Sequence, residues 1–180
     1  MTVKNLAHGS EREPSELPSW VLSPGGCKLI ATRDWSQTAL GPLATWPASL
    51  TQSLRVCLDS RFPFAVAWGP ERTQLYNDAF ATLCGPKHPN ALGQDMRQCW
   101  ASAWPVLGPS FEQALGGAST YIEDGRLFLD RGGDLEETFA TFSFSPLREH
   151  DQAAVAGVLL TLIETTGKVL GERRTRLLRE

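Results

Sequence analysis

Phe62-Pro63-Phe64-Ala65-Val66-Ala67-Trp68-Gly69-Pro70-Glu71-Arg72-Thr73-Gln74-Leu75-Tyr76-Asn77-Asp78-Ala79-Phe80 is the stretch that decides the fold. Its first seven residues alternate large and small. A period of two predicts a strand, with Phe62, Phe64, Val66 and Trp68 on one side and Pro63, Ala65 and Ala67 on the other. Both sides are apolar, so neither is a free solvent face. Gly69 to Arg72 predicts a four-residue turn, because Gly and Pro punctuate it and no apolar residue interrupts. Thr73 to Tyr76 returns as a second short strand and closes a hairpin. Asn77 then stands where a helix cap stands. Its side chain can accept from a free amide of the first turn, and Asp78 suits the positive end of the helix dipole. Ala79, Phe80, Ala81, Leu83 and Cys84 continue as a short apolar helix, which Gly85-Pro86 stops.

The whole chain has 180 residues, enough for one domain with a core and appendages. Apolar residues make up 42% and charged residues 21%, a globular rather than a disordered composition. A formal net charge of −3 argues against a nucleic-acid binder. The amino terminus lacks the basic-then-apolar layout of a secretory signal, and no run reaches the length of a membrane span. A cytoplasmic location is the expectation. Four cysteines (Cys27, Cys57, Cys84, Cys99) and three histidines (His8, His88, His150) are scattered, with no C-x-x-C pair. Reduced thiols and no structural metal site are expected.

Residues 1–33 predict a flexible leader rich in charge, Ser and Pro, with Trp20-Val21-Leu22 as a docking cluster and a turn at Ser23 to Gly26. Residues 34–61 predict a cap segment and helix. Trp35, Leu40, Leu43 and Trp46 anchor its irregular part, either by packing or as a partner surface. A helix starts at Thr45 or Trp46 with Pro47 in the first turn, and Leu50, Leu54 and Leu58 recur at helical spacing. Trp100, Trp104, Leu107, Phe111 and Leu115 predict two helical units between Gln98 and Leu115, bent or divided by Pro105 and Gly108-Pro109. Ser119 to Asp124 and Arg126 to Arg131 straddle Asp124-Gly125, as one bent strand or a small hairpin. Leu135 to Leu147 is a strand with Phe142 and Phe144 on one side and Phe139, Thr141 and Ser143 on the other. Ala153 to Ile163 is a last strand, apolar on both faces. Residues 165–180 predict a linker helix with a thin seam, Leu170 and Leu177 lying one heptad apart.

Trp68-Gly69-Pro70, Leu75 to Phe80, and Gly85-Pro86-Lys87-His88-Pro89 together resemble a PAS domain. The likeness is to the amino-terminal PAS sensor of bacterial sensor histidine kinases. The flanks resemble it too: Asp34-Trp35, Thr38-Ala39-Leu40-Gly41-Pro42 and Trp46-Pro47 before the hairpin, Glu136 to Leu147 after it. The resemblance implies an α+β PAS fold, a five-stranded antiparallel sheet with helices on one face. The core would span 62–164, with an amino-terminal cap helix and a carboxyl-terminal linker helix. The implied function is a sensory and dimerisation module in a signal-transduction protein, a histidine kinase. It would relay a small-molecule or conformational signal, pair as a homodimer through its flanking helices, and act on a downstream kinase or other effector.

PAS cavities lie between the sheet and the helices. Trp68, Tyr76, Phe80, Trp100, Trp104, Phe111, Tyr121, Phe142 and Phe144 are the candidates to line one, with Tyr76, Thr141 and Ser143 as polar anchors. A core filled solid by the same aromatics is the alternative. A flavin photoreceptor of the PAS type would carry an Asn-Cys-Arg-Phe-Leu-like helix, and the Asn77 helix lacks it. A haem PAS would want a histidine between Gln98 and Leu115, where there is none. No haem, flavin or metal is therefore expected. Two further function classes stay open: a non-sensing PAS scaffold for protein–protein contact, and a small-molecule enzyme using Cys84 as nucleophile or His88 as base. No Ser-His-Asp layout, metalloprotease motif or kinase signature is visible, so no catalytic residue is assigned to the chain.

Overall fold

The computed structural model describes residues 28–149 and 154–179. The readings made at Trp20-Val21-Leu22, Ser23 to Gly26, Cys27, His8 and His150 lie outside the described residues. Helix α1 is Lys28–Thr32, inside the span read as a leader, and buries Ile30. Trp35 donates from its indole nitrogen to the Ile30 carbonyl at 2.9 Å, and its ring meets Trp46 edge-on at 5.3 Å. Trp46 donates in turn to the Gly41 carbonyl at 3.0 Å. Trp35, Leu43 and Trp46 are thus core anchors of an irregular segment.

Helix α2 is Ala48–Asp59, starting later than Thr45 or Trp46. The cause is Pro47: the residue before a proline is driven to extended backbone, and Trp46 has φ −65° and ψ 136°. Leu50, Leu54 and Leu58 have no exposure, so the apolar rhythm of this helix is spent inside the core.

Strand β1 is Phe64–Trp68 and strand β2 is Thr73–Tyr76, antiparallel from Ala65↔Tyr76 to Trp68↔Thr73 across the four-residue turn. Both faces of the hairpin are buried. The strand begins after Phe62-Pro63, and Phe62 is 60% exposed. Helix α3 is Asp78–Cys84, α4 is Met96–Cys99 and α5 is Trp104–Leu115 with Pro109 inside it. The segment before α4 covers the free edge of β2: Gly93 donates to the Gln74 carbonyl at 2.8 Å and Met96 to the Arg72 carbonyl at 3.0 Å.

Strand β3, Thr120–Asp130, is one strand rather than a hairpin. Asp124 has φ 48° and the register shifts between Ile122 and Gly125, so Asp124-Gly125 forms a bulge. A Cβ on Gly125 would stand 2.9 Å from Ile122 Cγ2 and 3.0 Å from the Phe142 ring. Strand β4 is Leu135–Arg148, β5 is Val155–Glu164, and helix α6 is Thr166–Leu177. The order β2-β1-β5-β4-β3 makes a five-stranded sheet, antiparallel in every pair.

Pleating assigns the faces. Thr138, Ala140, Phe142 and Phe144 of β4 share the face on which α3 and α5 pack, together with Leu160 and Leu162 of β5. Phe139, Thr141 and Ser143 turn to the other. Phe139 is buried there beneath Arg173 of α6, whose guanidinium carbon lies 4.6 Å from the ring centre.

Candidate functional site

Asn77 positions one side of the site. It is fully buried at the junction of β2 and α3. Its Oδ1 accepts from the Phe80 amide at 3.0 Å, the cap expected from sequence, and from the Phe64 amide at 3.2 Å. Its Nδ2 donates to the carbonyls of Cys57 at 3.0 Å, Ser60 at 3.1 Å and Phe62 at 2.8 Å. One side chain therefore ties the end of α2, the first strand and the start of α3. The Phe80 ring, held by that cap, enters the space under the sheet.

A cavity of about 20 Å³ lies there, lined by Phe80 and Leu83 of α3, Trp100, Leu107 of α5, Leu127, Leu129 and Arg131 at the end of β3, Thr138 and Ala140 of β4, and Leu160, Leu162 and Glu164 of β5. It has room for about one water. Phe80 and Trp100 meet edge-on at 6.0 Å, and the Trp100 indole donates to Gln74 Oε1 at 3.0 Å. Thr138 is 1% exposed, and its hydroxyl has no hydrogen-bond partner. The mouth is ionic. Arg131 donates from Nη2 to Glu136 Oε2 at 2.8 Å, from Nη1 to Glu164 Oε2 at 3.0 Å, and to the Leu83 carbonyl at 3.4 Å. Burial works against the Arg131 charge, but its hydrogen bonds to Glu164 and Glu136 outweigh it and leave the guanidinium pKa raised.

Of the eleven residues read as pocket candidates, Phe80 and Trp100 line this cavity. Tyr76 stands behind Phe80, ring centres 5.5 Å apart, with its hydroxyl 3.1 Å from His88 Nδ1. Trp104, Phe111, Phe144 and Phe142 form a packed aromatic row beside it, at 5.2, 5.7 and 6.0 Å. Trp68 fills a different place: a Cβ on Gly157 would stand 2.6 Å from its ring. Three candidates need correcting. Tyr121 is 66% exposed. Thr141 and Ser143 lie on the face opposite Phe142 by strand alternation, and the Thr141 hydroxyl accepts from the Asp124 amide at 3.1 Å. The same alternation places Thr138 on the cavity face, so this polar anchor was legible. Arg131 and Glu164 gave no local signal, because contacts across 33 residues bring them together.

The described cysteines sit as packed thiols. Cys57, Cys84 and Cys99 are buried. Burial pushes the Cys57 thiol up to about 12, against a backbone hydrogen bond from Asn77 that lowers it, and burial likewise raises Cys99. Among the described residues no group of three His, Cys, Asp or Glu is placed to hold a metal ion. No helix of the described residues is long and apolar enough to cross a membrane.

No protein-family model matches the chain, and no curated protein does. Solved structures do match. One is an RNA-binding light-oxygen-voltage receptor, 24% identical over 79% of this chain and 40% of that one, with a TM-score of 0.50. A light-oxygen-voltage domain studied with a flavin analogue is 18% identical over 71% of this chain and 96% of that one, TM-score 0.46. A sensory box sensor histidine kinase from Vibrio cholerae is 13% identical over 64% and 86%, TM-score 0.42. The chain has the PAS fold, which these sensory modules share. It spans 40% of the length of the RNA-binding receptor.

The matches correct the cofactor expectation. Light-oxygen-voltage domains bind flavin chromophores, so the missing Asn-Cys-Arg-Phe-Leu pattern does not exclude a flavin from this fold. The exclusion rested on a thiol, and a flavin held without a covalent bond needs none. In the conformation described, the side chains leave about 20 Å³, whereas cofactor pockets take roughly 300 Å³ or more. The residues as placed do not fit a three-ring system, and no chemical step is derived through it.

Proposed function

We propose that this chain is a cytoplasmic sensory module of a signal-transduction protein, whose input is the state of the cavity and whose output leaves through α6. One continuous set of contacts supports the reading. Arg131 at the cavity mouth pairs with Glu164, the last residue of β5. Glu164 Oε1 accepts from the Thr166 hydroxyl at 3.1 Å. The Thr166 hydroxyl in turn accepts from the Phe139 amide at 3.0 Å, fixing the first residue of α6 to the sheet. Lys168 of α6 adds a pair to Asp124 Oδ2 at 2.8 Å in the β3 bulge. A shift at the cavity is therefore felt where α6 starts, as a bias between two packed arrangements.

Thr166→Val breaks the link without changing side-chain volume. Amide exchange in α6 should then quicken about fivefold while α2 stays unchanged. Unchanged α6 exchange would contradict the relay.

The effector is a histidine kinase by sequence resemblance. A histidine-phosphotransfer helix and kinase domain are expected in the reading frame after Glu180. Some other effector there would retire the kinase assignment and leave the sensory one standing. Dimerisation falls to α6 rather than α2, since Leu50, Leu54 and Leu58 are used inside the core while Leu170 and Leu177 are exposed.

A further inference from the structure

We propose that α6 docks head to tail against a second copy of this chain, its basic end seated on the partner's acidic turn between β3 and β4. The proposal rests on the reading above that dimerisation falls to α6, and names the surface that α6 meets. Three observations carry it.

The first is charge on α6. From Thr166 to Arg179 the chain holds five cations, Lys168, Arg173, Arg174, Arg176 and Arg179, against Glu172 alone, while its net charge is −3. Lys168 is paired with Asp124, and Arg173 lies over the Phe139 ring. Among the described residues, Arg174, Arg176 and Arg179 have no carboxylate within ion-pair distance. A parallel pair of such helices sets one basic end against the other and is repelled. The second is the turn from Asp130 to Leu135. Asp130, Asp134 and Leu135 are exposed there, and among the described residues neither aspartate has a cation partner.

The third is placement. Arg131, between the two aspartates, donates to Glu164 Oε2 at 3.0 Å, and Glu164 Oε1 accepts from the Thr166 hydroxyl at 3.1 Å. The acidic turn is thus tied to the first residue of α6. The 12-residue helix is about 18 Å long, so its basic end stands a helix length from the acidic turn of its own subunit. A two-fold axis across the Leu170–Leu177 seam, with the helices antiparallel, brings each basic end to the partner's turn. Arg176 and Arg179 then face the partner's Asp130 and the partner's Asp134. Leu177 and Leu178, both exposed, meet the partner's Leu135.

Sedimentation equilibrium of the full chain reads the contact, first by its salt dependence. The expected dimer weakens about tenfold as salt rises from roughly 0.05 to 0.5 M, because screening removes opposite-charge attraction. A pair of like-charged helices would tighten instead. Arg176→Glu with Arg179→Glu should dissociate the dimer, as should Asp130→Lys with Asp134→Lys. An equimolar mixture of these two variants should restore a heterodimer near wild-type affinity, since each reversed helix then meets a reversed turn. That recovery also shows that both variants fold. A dimer that tightens with salt overturns the proposal, as does a monomer, or a mixture no more associated than its separate components. The sensory reading is judged separately, by whether α6 exchange responds to Thr166→Val.

Discussion

At the scale of single residues, Asn77 holds more together than its sequence position announces. A cap was legible because Asn precedes Asp and an apolar helix. Its contacts to Cys57, Ser60 and Phe62 were not, since they depend on where a distant helix ends. Asn77→Ala orphans buried amides and carbonyls at once, and should cost about 3–5 kcal/mol in urea unfolding. Thr138→Val should do the reverse and add about 1 kcal/mol, by removing an unpartnered hydroxyl at equal volume. Asp95 gives a pH signature. Burial raises its carboxyl pKa, but hydrogen bonds from the Arg72 side chain and the Arg97 amide outweigh this and leave it below the usual range. A depressed pKa stabilises the fold above the unfolded value and loses that contribution as pH falls through the folded one. Wild-type Tm should thus fall more steeply below about pH 4 than that of Asp95→Asn. Equal slopes would remove the assignment.

At the scale of elements, strand parity is the most informative signal in the sequence. It placed Phe142 and Phe144 together, and by the same count it turned Thr141 and Ser143 away from them. Local chemistry set other boundaries: Pro47 delayed α2, and Asp124-Gly125 bent β3 instead of turning it. Whether Asp124-Gly125 bends or reverses a chain depends on the partner strand, and Phe142 closes against Gly125 only in the folded sheet. The β1–β5 contact has a similar tight point. A Cβ on Gly157 would meet the Ala67 carbonyl oxygen at 2.8 Å as well as the Trp68 ring at 2.6 Å. Gly157→Ala should cost about 1–3 kcal/mol through forced movement of backbone, measured by thermal or urea unfolding. A neutral result would mean that the strands slide apart freely there.

At the scale of the molecule, the hairpin and its Asn helix foretold the sheet, while the cavity emerged only from the fold. Six tryptophans and eight phenylalanines make a solid core a reasonable expectation, and most of those placed do fill volume. The space that remains is bounded largely by leucines, which no local pattern marks. Outward, Leu177 is 74% exposed and Leu170 is half-exposed on α6, a seam that a second copy would cover. Sedimentation should show a dimer that weakens when both are changed to Ser; a dimer indifferent to that change would move the contact elsewhere.

The central claim is that the cavity and α6 are coupled, and amide hydrogen exchange tests it most directly. Ala140→Val adds bulk to the cavity wall while leaving every polar contact of Arg131, Glu164 and Thr166 in place. The account predicts altered exchange along Thr166 to Leu177 with α2 unaffected. Exchange in α6 identical to wild type, with the cavity shown to be filled, would contradict it.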